Sequence, residues 1–178
     1  MTRKEKAEVV DGMLDRYNHI GALLVGDDHS LCRLLTTLEI GAKDHEIGVP
    51  NDVLNKPGRL TPDERRLIDE HPIAGERLLR SLGASEQLAQ AVAHHHERID
   101  GAGYPSGLAG EAIPLHSRVV LVAAAYCAMT SPRAYAPQLD ADRAMAELQR
   151  CAGSQFDASV VEALGRALIS ERAALSEA

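Results

Sequence analysis

The sequence predicts an all-α protein, a helical bundle of about seven or more helices. Three observations predict it. Apolar residues recur at helical spacing through almost the whole chain. Helix start and stop signals punctuate that pattern. No segment alternates apolar and polar residues as a half-buried strand would, and no internal repeat occurs. In order, Thr2 and Glu5 form a capping box before Val10, Met13, Leu14, Tyr17 and Ile20, and Gly26 is a stop. A second helix carries Leu31, Leu34, Leu35 and Leu38 on one face and ends near Gly41. Ile47-Gly48-Val49-Pro50 breaks the pattern, and Lys56-Pro57-Gly58 is a turn. Thr61 caps the next helix, with Pro62 at its first position and Glu64 reaching back. His71-Pro72 is expected to interrupt it, because the residue before a proline is pushed out of the α region. A further helix then runs to Leu82, with Gly83 as its stop.

Ser85 caps a helix predicted to reach Glu97 or Arg98. Residues Ile99 to Pro114 hold four glycines and two prolines and form the one long irregular segment, a length that usually serves function. Pro114 opens a helix through Met129 that is apolar nearly all round, and so is expected at the centre. Pro132 and Pro137 mark a connection; Asp140 to Arg150 and Asp157 to Leu175 are two more helices, with Asp157 an N-cap.

Composition narrows the function classes. The 178 residues are expected to form one domain, 1–178, large enough to fold without metal or disulfide staples. Hydrophobic residues at 45% and charged residues at 25% exclude a disordered chain. Nineteen basic against 26 acidic residues give a net charge of −7, which argues against a diffuse nucleic-acid face. Aromatics at 3%, with no Trp, argue against base-stacking platforms. Three scattered cysteines, Cys32, Cys127 and Cys151, without CxxC, are neither a disulfide framework nor a zinc ribbon. The N-terminus lacks the apolar core of a signal peptide, and the longest apolar run, Val119 to Met129, is too short to span a bilayer. The expectation is a cytoplasmic protein with no nucleic-acid and no membrane partner.

Chemistry concentrates at His94-His95-His96. Successive helical positions differ by about 100°, so at most two of the three rings face one pocket. A bare histidine triplet is ordinarily a solvated helix end, but the continuation Glu97-Arg98-Ile99-Asp100-Gly101-Ala102-Gly103-Tyr104-Pro105 changes its meaning. This string resembles the HHExxDGxGYP signature of the HD-GYP family. Four more stretches extend the resemblance. These are Ile47–Pro50 with Val53–Thr61, His71-Pro72-Ile73-Ala74-Gly75, Ala128–Arg133, and Gly153-Ser154-Gln155-Phe156-Asp157. Together they cover about residues 26–170 in the family's order; the first helix, 2–25, aligns weakly.

The resemblance implies an all-α metal-dependent phosphodiesterase acting on cyclic di-GMP. In that chemistry two or three clustered Fe or Mn ions, bridged by a carboxylate, acidify a water that attacks phosphorus. Carried over position by position, the ligand set is incomplete here. Ala42 stands for a metal-binding His, Lys43 for the bridging Asp, Glu46 for the motif's Lys, and Ala124 for the late Asp. His71, His95 and His96 remain as metal candidates and are expected to be vestigial; Asp44, His45 and Glu46 leave open a rebuilt site. No catalytic residue and no cofactor are therefore expected, with Fe or Mn reserved for the alternative of a reduced metal centre. His71, read as lying at a helix start, is expected to stay neutral, and Lys43 is expected to stand in for the missing cation by donating to the imidazoles.

The resemblance also assigns ligand binding to Arg133 and Tyr104, to which Lys43 is added. Lys56, Arg59, Arg98 and Arg118 could add positive potential to the ligand side, but exposed, solvated charge is the favoured reading for most of them. The loop Asp100, Gly101, Gly103, Tyr104 and Pro105 is a candidate docking surface for a GGDEF-type signalling protein. The expected function is a catalytically inactive HD-GYP domain acting as a regulatory or interaction module in bacterial cyclic di-GMP signalling. It would stand alone and meet its partners in trans, with weak or absent cyclic di-GMP binding and an apolar first helix available as a homodimer face. The alternatives are a hydrolase with a reduced metal site and a non-hydrolysing cyclic di-GMP sensor.

Overall fold

A computed structural model describes residues 49–54, 56, 58–130 and 138–176. The two helices predicted before residue 42 and the connection at Pro132 and Pro137 lie outside them. After a single helical turn, Asn51–Leu54, come five helices: α1 (Pro62–Ser81), α2 (Glu86–Ala93), α3 (Leu115–Thr130), α4 (Ala141–Arg150) and α5 (Ala158–Ser176). A short 3-10 turn, Gly110–Ala112, precedes α3. No strand occurs among the described residues, as the all-α reading requires; an isolated bridge joins Ala152 and Phe156. The count of seven or more is not reached within them. No helix there is long and apolar enough to cross a membrane.

The caps act as the sequence indicates. Thr61 and Glu64 form a reciprocal capping box on α1, with Glu64 accepting from the Thr61 amide at 2.7 Å. Ser85, Asp140 and Asp157 each accept from a first-turn amide of the helix that follows. Gly83, at φ +74°, stops α1.

Two helix boundaries differ from expectation, for one shared reason. α1 is not interrupted at His71-Pro72 but runs through it. Proline deprives the Ile68 carbonyl of its i+4 amide donor, and the His71 Nδ1 takes that place, 2.6 Å from the same oxygen. His71 thus lies in mid-helix, so a helix-start dipole cannot be what keeps it neutral. α2, in turn, ends at Ala93 rather than Glu97 or Arg98. There the His95 Nδ1 takes the Val92 carbonyl at 2.6 Å, an oxygen that a continued helix would give to the His96 amide.

α3 is central: it packs on α2, α4 and α5, and half its residues are buried. Val119, Val122, Ala123, Tyr126 and Cys127 meet Ala144, Leu148, Phe156, Val160, Val161 and Leu164 in the main core. A second cluster, Leu79, Ala91, Val92 and Val120, ties α1 and α2 to the other side of α3. Gly75 sets how closely α1 and α2 approach, because a Cβ there would fall 2.9 Å from Val92 Cγ1. Gly75 lies one turn beyond His71 on the same helix face, so this approach brings His71 to the end of α2.

Candidate functional site

His71 from α1 and His95 and His96 from the turn after α2 converge. Each offers one ligand atom, and these atoms lie within 4.8 Å of one another. The ring centroids are 5.4 Å apart for His71 and His95, 5.1 Å for His71 and His96, and 4.0 Å for His95 and His96. Because a carbonyl only accepts, the Nδ1 atoms of His71 and His95 carry the protons shared with Ile68 and Val92. Nε2 is then the atom each ring offers the cluster, the tautomer a metal ligand needs. Burial, then the neighbouring His95 and His71 rings and the Arg65 guanidinium, hold His96 far below the ordinary histidine value of 6.5, so its imidazole is neutral.

Tyr104 covers the cluster. Its ring stacks on His96 at 4.7 Å and 23° and meets His71 edge-on at 6.4 Å. The Arg65 guanidinium lies 5.2 Å from the Tyr104 ring centre while pairing with Asp69 one turn on. Tyr104 gets there because the irregular segment folds back. Its amide donates to the His96 carbonyl at 3.2 Å, and Gly103 lies flat on residues 96–98. The outgoing limb is fixed separately. Arg98 forks onto Asp100, holding its carboxyl down to about 2, and Asp100 accepts from the Ala102 amide. The Ile99 and Asp100 amides donate to Gln155 and Ser154, carbonyls presented by the tight turn 153–157.

Of the predicted site residues, His71, His95, His96 and Tyr104 therefore meet. Asp100, Gly101, Gly103 and Pro105 build the loop rather than the cluster, Gly101 at φ +77°. Ala124 packs against the main core from α3. Ala42, Lys43, Asp44, His45, Glu46 and Arg133 lie outside the described residues. Three of the four cations considered for the ligand side are ion-paired: Lys56 with Glu64, Arg98 with Asp100, and Arg118 with Asp157. The last pair is mostly buried.

Sequence reasoning missed Arg65, and it quoted Gly75 and Glu97 within their motifs without giving either a role. Glu97 is 1% exposed, and its two carboxylate oxygens accept from the Ser106 and Leu108 amides at 2.7 and 3.0 Å. The motifs pointed to both residues, Glu97 directly after the histidines and Gly75 at i+4 from His71, but not to what they touch. Arg65 carried no signal, since only folding puts it over Tyr104.

Three converging imidazoles, two of them with tautomers fixed by Ile68 and Val92, suit one borderline divalent ion, and no carboxylate joins them among the described residues.

A family model described as HD domain matches residues 24–160. The chain is 38% identical over 167 residues to the cyclic di-GMP phosphodiesterase response regulator RpfG of Xanthomonas campestris, covering 89% of this chain and 44% of that protein. It is 44% identical over 125 residues to a cyclic di-GMP phosphodiesterase of Vibrio cholerae, covering 66% of this chain and 25% of that one. A cyclic GMP-AMP-specific phosphodiesterase from V. cholerae superposes with a TM-score of 0.64 over 93% of this chain and 44% of that chain; at 24% identity this likeness concerns the fold alone. The chain spans less than half the length of these relatives.

Proposed function

The chain belongs to the HD domain family, in its HD-GYP branch, and from that premise we propose that it acts in cyclic di-GMP signalling as a non-hydrolysing regulatory module. The observation that carries this reading is the donor set: three imidazoles and, among the described residues, no carboxylate within reach of them. Two divalent ions about 4 Å apart repel each other by roughly 17 kcal/mol at an effective dielectric of about 20. An anionic bridge offsets that repulsion in a two-metal site. By the resemblance to the family motif, Lys43 would stand at the bridging position, with Ala42 and Ala124 at two further ligand positions. Neutral imidazoles cannot replace the missing charge.

His71, His95 and His96 would hold one ion. All-imidazole ligation favours Fe, Zn, Ni or Cu over Mn, which prefers oxygen. Such an ion would supply Lewis-acid polarisation of a phosphoryl oxygen. This chain's own residues fix the imidazole tautomers through Ile68 and Val92 and cover the cluster with Tyr104. The loop through Gly101 and Pro105, braced by Arg98, Asp100 and the 153–157 turn, offers a preformed surface to a GGDEF-type partner. Arg133 would bind ligand phosphate.

A second reading, a hydrolase with a single-metal centre, is favoured by the same preorganised triad and by relatives named as phosphodiesterases. Elemental analysis and a hydrolysis assay on one anaerobic preparation separate the two. The regulatory reading expects at most one equivalent of metal and no turnover of cyclic di-GMP or 3′3′-cGAMP; turnover overturns it. Calorimetry with cyclic di-GMP, using Arg133→Ala as control, tests for a non-hydrolysing sensor.

A further inference from the structure

We propose that Glu97 is the positioning residue of this site: its buried carboxylate anchors the returning limb of the loop and so holds Tyr104 against His96. The limb from Tyr104 to Gly110 is pinned by four backbone donors. The Tyr104 amide goes to the His96 carbonyl and the Gly110 amide to the Ile99 carbonyl. The two between, Ser106 and Leu108, both end on Glu97, one on each oxygen. A carboxylate 1% exposed is costly to bury unless its lone pairs are answered, and these amides answer them.

The chemistry selects Glu rather than its isostere. Glutamine has one acceptor oxygen, and its NH2 would face a second N–H, a donor against a donor. Aspartate is one methylene too short to reach both amides. Glu97 follows His96 directly, so the residue that anchors the limb is covalently tied to the imidazole that Tyr104 stacks on. The placement of Tyr104 is independent of the function proposed above; its consequence for metal affinity rests on that reading.

The test compares the full chain with Glu97→Gln by amide hydrogen exchange and NMR of the histidine rings. The Tyr104 amide should exchange at least tenfold faster in E97Q, and the His96 ring resonances should shift. Leu148→Ala, a cavity in the remote core, supplies a control: comparable loss of stability there should leave Tyr104 and His96 unmoved. A folded E97Q that keeps Tyr104 protection and His96 resonances overturns the proposal. If E97Q does not fold, Ser106→Pro removes one donor while leaving the carboxylate, and the same two readouts decide. Cobalt(II) alone then probes the triad, with affinity expected about tenfold or more weaker in E97Q. Failure of the wild-type chain to bind cobalt(II) refutes the metal reading above, and the Tyr104 readout still decides the role of Glu97.

Discussion

Replacing Gly103 with alanine tests whether the loop is seated by backbone contact. A Cβ at this position would lie 2.4 Å from the Arg98 nitrogen, 2.5 Å from the Glu97 Cα and 2.6 Å from the His96 carbonyl oxygen. All three are backbone atoms, so no side chain can rotate aside. Ordinary contact requires the segment to rise by about 1 Å, which takes the 3.2 Å Tyr104–His96 hydrogen bond past its useful range. Losing that bond costs about 1 kcal/mol, and weakening the Tyr104–His96 stack about 0.5–1 more. With residual overpacking of about 1–2 kcal/mol, the total is roughly 2–4 kcal/mol, or on the order of 5–15 °C in Tm for a chain of this size. Urea and thermal unfolding measure the loss, and amide exchange at Tyr104 locates it. Gly58→Ala is the contrast, since Gly58 has φ +124° but no atom within 4 Å of the added Cβ, and it should leave Tyr104 untouched. Gly103→Ala within about 0.5 kcal/mol of wild type, with Tyr104 still protected, would refute the reasoning.

Gly75→Ala should cost about 1–3 kcal/mol and weaken cobalt(II) binding by prising α1 from α2; unchanged stability by urea titration would show that Val92 yields freely. His71→Ala should abolish one-equivalent metal binding in calorimetry, whereas His94→Ala, outside the cluster, should preserve it. Asp157 carries an acid-dependent part of the stability. Burial pushes its carboxyl up, but hydrogen bonds from Ser159 and Arg118 outweigh that and hold it below the ordinary 3.8. A depressed carboxylate contributes stability above its unfolded value and loses it as pH falls through the folded one. Arg118→Ala should therefore destabilise the protein by about 1–3 kcal/mol at pH 7, and the gap to wild type should narrow below about pH 4. A gap unchanged down to the acid transition would count against the pair.

Caps and punctuation were legible because they are local. Thr61, Ser85, Asp140 and Asp157 each satisfy an amide two or three residues away, so spacing alone locates them. The two misplaced boundaries show where local rules stop. Proline's effect at His71 depends on whether something else takes the Ile68 carbonyl, and what takes it is a histidine side chain that also serves the cluster. The same substitution, a ring nitrogen for a backbone amide, ends α2 at Ala93.

By itself the sequence determined that the chain is helical, where the caps of the described helices lie, and that His71, His95, His96 and the Gly-Tyr-Pro loop are the residues to examine for a site. These follow from residue identity, periodicity and motif. Only the tertiary structure decided that the three imidazoles converge, that Tyr104 stacks against them, and that the Glu97 carboxylate meets the returning loop while Gly75 lets α1 approach α2. Those facts depend on contacts across loops and between α1 and α2. Such contacts turn on distances of a few ångströms, which a linear order of residues does not encode.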